Sequence, residues 1–237
     1  MNLSQSQLQR KMEIFTRNGL SVEAQAVIAD VGYTPAELTA GSTLLQTWIT
    51  ARTETKMQRA AQKQATNLEE TARKAAEREA VNFAGTVRTL YHHDEVVLTA
   101  LGLQTQYETI IDPETGEPIQ RAITPPEDTA SLIARWSLLF TNVSALEQSI
   151  QDALAAAGWD AARITAALTL VQNYATADNN QQQAIQAHQA QSAAAKAAHA
   201  AALQWYRQAA RLSQLAIQRA DPPNAAQLRE LLGFNPQ

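Results

Sequence analysis

Residues 32–48 read GYTPAELTAGSTLLQTW, and residues 158–174 read GWDAARITAALTLVQNY. The two stretches align without a gap. Identical pairs are Gly32/Gly158, Ala36/Ala162, Thr39/Thr165, Ala40/Ala166, Thr43/Thr169, Leu44/Leu170 and Gln46/Gln172. Tyr33/Trp159, Leu38/Ile164, Leu45/Val171 and Trp48/Tyr174 are conservative. Self-similarity over a long period is the mark of an internally repeated architecture. The match continues upstream, where Ile14-Phe15-Thr16 answers Leu139-Phe140-Thr141 after a one-residue shift. Downstream, Ala100-Leu101-Gly102-Leu103 answers Leu231-Leu232-Gly233-Phe234 after a five-residue shift. The chain therefore reads as one repeat over 1–103, a linker over 104–127 and a second repeat over 128–237.

Each repeat is expected to be helical. Leu3 to Arg17 and Val22 to Val31 carry apolar residues at helical spacing, with Asn18-Gly19 as a stop between them. Gly32 ends the second helix. Thr34 then caps a new helix with Pro35 at its first position and Glu37 completing a capping box; Asp160 takes the cap in the second copy. From these caps the helices run to about Tyr91 and Ala220 without an internal proline. Fifty-odd helical residues span about 85 Å. Met57, Ala61, Leu68, Ala72, Ala76, Phe83, Val87 and Leu90 recur close to an eleven-residue period, which implies nearly straight or slightly right-handed packing. A break within 52–67 or 178–192 is the alternative, but the candidate turns in the two copies do not coincide, so continuous helices are favoured.

The stretches around Tyr107–Ile111 and Ile119–Ile123 flank Asp112-Pro-Glu-Thr-Gly116 and read as a β-hairpin. Short connections favour an antiparallel pair of long helices, with 52–66 beside 178–192, in a dumbbell or elongated bundle. The fold class is all-α, with two tandem pseudo-symmetric repeats and one short hairpin. A Phe-containing helix, then G-[YW]-x-x-x-x-[LI], a long Ala/Gln-rich helix and a terminal L-G-[LF] resemble uncharacterised two-repeat all-helical proteins of bacteria. The resemblance covers most of the chain. Its motifs are packing motifs, and it implies a fold without an activity.

Composition narrows function by exclusion. A net charge of −4 with no basic run argues against nucleic acid. The absence of cysteine excludes disulfides and thiol chemistry. No apolar run is long enough to span a membrane, and the N-terminus lacks an apolar signal core, so a cytoplasmic location is expected. His92-His93-Asp94-Glu95 is the densest ligand cluster. It falls at a helix end, where histidine favours the dipole, and adjacent helical histidines diverge by about 100°. His188 and His199 lie three turns apart, too far for one ion. Trp48, Tyr91, Trp136, Trp159, Tyr174, Trp205 and Tyr206 sit at repeat-equivalent or core-spaced positions and read as packing. No catalytic, cofactor or metal residue is assigned. The expectation is a non-enzymatic structural or interaction protein, a helical scaffold or spacer, with a protein partner or self-association. An amphipathic granule- or lipid-surface protein, or a helical-bundle metal protein using His92, His93 or His188, are the alternatives.

Overall fold

The computed structural model describes residues 3–114, 116–220 and 222–234. The chain is 78% helical. In order come α1 (Gln5–Asn18), α2 (Val22–Ile28), a 3-10 turn (Ala29–Val31), α3 (Pro35–Tyr91) and α4 (Glu95–Ala100). The strands β1 (Tyr107–Ile111) and β2 (Pro118–Ala122) follow. Then come α5 (Thr129–Thr141), a second 3-10 turn (Asn142–Ala145), α6 (Gln148–Ala156), α7 (Ala161–Ala220) and α8 (Ala225–Leu231). Both long helices are continuous: α3 has 57 residues and α7 has 60, with no break at 52–67 or 178–192. Their starts follow the expected caps, Thr34 Oγ1 accepting from the Glu37 amide and Asp160 Oδ1 from the Arg163 amide. The hairpin forms as expected, antiparallel, with Thr109 opposite Gln120; its turn residue Thr115 lies outside the described residues.

The chain forms two compact units, Met1–Ala60 with Gln186–Gln237, and Ala61–Ile185. These cut across the segments 1–103 and 128–237, so each unit joins the opening helices of one segment to the closing helices of the other. In the first unit α3 and α7 run antiparallel. Trp205 Nε1 donates to Glu37 Oε1 (2.8 Å), while Thr55 Oγ1 donates to the Gln191 carbonyl (3.3 Å) and Gln191 Nε2 to Glu54 (2.7 Å). The core is Leu8, Met12 and Phe15 of α1 with Ile28, Leu38, Leu45, Trp48, Tyr206, Ile217, Leu228 and Leu232. Phe15 sits at its centre, edge-on to Tyr33, Trp205 and Tyr206.

In the second unit the helices also oppose. Arg163 Nη2 meets Glu79 Oε2 at 3.3 Å, and Trp159 Nε1 donates to Thr86 Oγ1 at 3.1 Å. Phe83, Val87, Leu132, Trp136, Phe140, Leu154, Trp159, Val171 and Tyr174 fill this core. Phe83 lies 4.8 Å from the Trp159 ring and 5.4 Å from that of Phe140.

The same local devices occur in each unit. Gly32 and Gly158 adopt left-handed backbone, φ 93° and 87°. The amide after each reaches back five residues, Tyr33 to the Ile28 carbonyl and Trp159 to that of Leu154. This closes the helix end in the Schellman pattern, which favours glycine. Asn18 Nδ2 donates to the Leu231 carbonyl (2.8 Å), and Asn142 Nδ2 to that of Ala100 (2.6 Å). Gln25 ties down the Gly19 and Tyr33 carbonyls; Gln151 ties down those of Ser144 and Leu146. Buried positions of α1 are Leu8, Met12, Phe15 and Thr16, and those of α5 are Leu132, Trp136, Leu139 and Phe140. Their spacing is the same, which sets Phe15 against Leu139 and moves the upstream alignment by one residue.

The expected eleven-residue stripe is wrong. Met57, Leu68 and Leu90 are 66%, 59% and 44% exposed. Residues withdrawn from solvent on α7 include the line Ala167, Val171, Tyr174, Asp178, Gln181, Ile185, His188, Ser192, Ala195, His199, Ala202, Tyr206, Ala209, Ser213 and Ala216, flanked by others such as Leu168, Leu203 and Ile217. On α3 they include Ala51, Thr55, Gln58, Gln62, Ala65, Glu69, Ala72 and Ala76. The steps alternate between three and four, a seven-residue recurrence. Its middle members are polar, so apolar residues alone traced a false line. Val87 is buried as expected, but Trp205 and Leu212 are only half-buried; Glu54, Lys63 and Gln189 are exposed, whereas Gln181 is half-buried.

Gly41 shows how tightly the first unit packs. A Cβ built there would overlap the Trp205 indole, whereas one built on Gly85, also in α3, meets nothing within 4 Å. Gly to Ala inside a helix ordinarily stabilises by about 0.5–1 kcal/mol. Gly85→Ala is therefore expected to gain roughly that amount. Gly41→Ala is expected to lose about 1–3 kcal/mol through overpacking. Urea unfolding of both variants checks this, and a stabilised Gly41→Ala would contradict the indole contact.

Candidate functional site

The histidine cluster is built by a helix end. The α3 helix stops at Tyr91, and Asp94 caps α4, its Oδ1 accepting from the Val96 and Val97 amides at 3.1 Å each. His92 and His93 occupy the turn between these helices. Their rings are therefore not splayed as on a helix but stand 3.8 Å apart, both exposed, in a shallow depression lined by residues 90–96. Among the described residues no three His, Asp or Glu side chains are grouped to hold a metal ion. His199 instead packs against Trp48, ring centroids 5.0 Å apart, and His188 is half-buried in the seam of α7.

The remaining titratable groups serve packing and capping. Burial pushes the Tyr206 phenol up to about 12. Burial, and then the Glu37 carboxylate, raises that of Tyr33. Neither phenolate is available near neutrality. The Ser131 hydroxyl and amide hold the Asp128 carboxyl below its ordinary value, because this residue caps α5. Lys74 lowers Glu70 through an exposed i,i+4 pair. Arg163 lies 3.8 Å over the Trp159 ring. Trp48, Trp205 and Tyr206 belong to the first core, and Tyr91, Trp136, Trp159 and Tyr174 to the second.

Sequence reasoning missed one concavity, a groove of about 550 Å³ in the second unit. Ala80, Ala84, Leu101, Trp136 and Leu139 line it from the helices, and Ile123, Pro125 and Pro126 from the linker. Arg88 and Arg135 also line it, with no carboxylate, histidine or serine among the lining residues. Such a surface can hold an apolar segment beside an anionic group but offers no general base or serine nucleophile. Pro125 and Pro126 belong to the segment between β2 and α5.

No single helix among the described residues is both long and apolar enough to cross a membrane. The bent pair Gln148–Ala156 with Ala161–Ala220 passes that test by composition. Leu154, Ala167, Val171 and Tyr174 of that pair are buried in the core of the second unit. No protein-family profile, curated protein or solved structure matches this chain.

Ser213 is the one buried side chain among the described residues whose oxygen lacks a hydrogen-bond partner. An unpartnered hydroxyl costs about 1–3 kcal/mol, and alanine is also the better helix former. Ser213→Ala is therefore expected to stabilise by about 1 kcal/mol or more in chemical denaturation. A loss of stability would reveal a partner for the hydroxyl.

Proposed function

We propose that the chain is a non-enzymatic structural or interaction protein, a helical scaffold or spacer built on its two long helices. The observation that carries this reading is the seven-residue recurrence of burial along α7, from Ala167 to Ala216. Such a seam sets helix register over many turns, and polar residues within it select one register over others. The shared glycine stops, the Asn18 and Asn142 ties and the equivalent cores support duplication of one unit. The polar side chains best suited to chemistry cap helices or close cores, as Asp94, Asp128, Asp160, Glu37 and Glu79 do. This agrees with the packing-motif resemblance to bacterial two-repeat helical proteins and with a role in binding a protein partner.

A spacer tolerates a change of length that preserves its seam. Deleting 62–68 together with 176–182 removes one seven-residue turn pair from each helix. The shortened protein is expected to keep its helical circular dichroism and a single cooperative melting transition. Deleting 62–65 alone slips one helix by half a repeat and is expected to abolish that transition. Equal damage from both deletions would overturn the spacer reading.

A further inference from the structure

The hairpin is exposed on both faces, with Tyr107 61%, Ile111 65% and Ile119 42% accessible. A two-stranded ribbon is marginal by itself. Its ladder fixes which backbone groups point outward. The Ile123 amide donates to the Gln106 carbonyl (2.8 Å) and the Asp112 amide to the Glu117 carbonyl (2.9 Å). Hydrogen-bonded and non-hydrogen-bonded pairs alternate along an antiparallel ribbon. The even-numbered residues of β1 therefore bond inward to β2, and Tyr107, Thr109 and Ile111 direct their N–H and C=O groups to the outer edge. On β2 the outward positions are Pro118, Gln120 and Ala122. Proline has no N–H, so β2's edge is blunted while β1's keeps a full set of donors and acceptors.

We infer that the outer edge of β1 is a self-association site, where β1 of a second copy of this chain adds antiparallel about Thr109 to make a four-stranded sheet. This deepens, and rests on, the reading of the chain as an interaction protein. The second copy fits because the edge is self-complementary. With Thr109 opposite its own copy, Tyr107 falls opposite the copy's Ile111, so every outward group of one strand meets one of the other. Aromatic and β-branched residues are a favourable cross-strand pair. Glu108 faces Arg121 within its own hairpin. Tyr107, Thr109 and Ile111, whose backbone groups form the open edge, carry no charge. Within the pairing strand no proline or lysine opposes the addition. The contact is small for a protein interface, so the dimer forms reversibly.

The test uses the full-length chain in sedimentation velocity over a concentration series. A reversible monomer–dimer equilibrium is expected. Thr109→Pro removes the outward N–H together with the Oγ1 that accepts from Gln120 Nε2 at 2.9 Å, a bond that Gln120→Pro breaks as well; it should weaken the dimer by at least about tenfold. Gln120→Pro, the matching change on β2's edge, should leave it within about twofold. The natural chain has 0 cysteines, so Thr109→Cys places a lone thiol on the proposed axis. It is expected to form a disulfide dimer on mild oxidation, and Gln120→Cys is not. The cysteine pair decides the question even if proline disrupts the hairpin. A wild-type chain monomeric throughout, a dimer unaffected by Thr109→Pro, or equal cross-linking of the two cysteine variants would overturn the inference. None of these results alters the outcome of the paired helix deletions, so the spacer reading stands or falls separately.

Discussion

Two long helices stay in contact over many turns only where the residues between them recur at the spacing at which the helices face each other. In this protein that spacing is seven residues. Small side chains hold it close to the cores: Ala76 and Ala80 in the second unit, Ala202 and Ala209 in the first, are nearly or wholly buried. Small residues let helix backbones approach and leave the larger apolar volume to flanking positions. Away from the cores, Thr55, Gln58 and Ser192 in the first unit, and Gln62 and Gln181 in the second, are half-buried at the same spacing. These residues bury little apolar surface, but they can bond backbone across the seam, as Thr55 does to the Gln191 carbonyl. Such contacts favour one register at modest cost in stability.

The units at which the seam is anchored depend on fixing chain ends against one another. Asn18 and Asn142 each reach the carbonyl of a closing helix that is remote in sequence. Glu37 with Trp205, and Arg163 with Glu79, fill comparable places at a helix start, one as a hydrogen bond to an indole and the other as an ion pair. The exchange of chemistry follows the space available. Gly41 leaves room for the Trp205 ring, whereas in the second unit Ala167, one turn beyond Arg163, is itself buried in the core.

Much of this was legible in the chain. Caps at Thr34 and Asp160, the stops at Gly32 and Gly158, the hairpin and the all-α class are local decisions, written in a few adjacent residues. The seam was not, because burial there is set by position and not by hydrophobicity. Gln58 and Gln181 are half-buried while Met57 and Leu68 are exposed, and an apolar count ranks them in reverse. The groove was illegible for another reason: Ala80, Leu101, Pro125 and Trp136 come from four separate elements and meet only in the folded unit. His92 and His93 were placed at the correct helix end but given helical geometry. The turn that follows Tyr91 brings their rings together instead, tilted by 44°.

The hairpin completes the argument from the opposite direction. It contributes little to either core, and its strands expose most of their side chains. Its two edges are also unlike. Pro118 removes a donor from one, and the other offers Tyr107, Thr109 and Ile111 without interruption. Protecting both edges would serve solubility alone. The edges differ at one position, where Pro118 withholds a donor that β1 keeps, while Gln120 and Ala122 retain theirs. A scaffold that associates through β1 about Thr109 forms a closed twofold dimer.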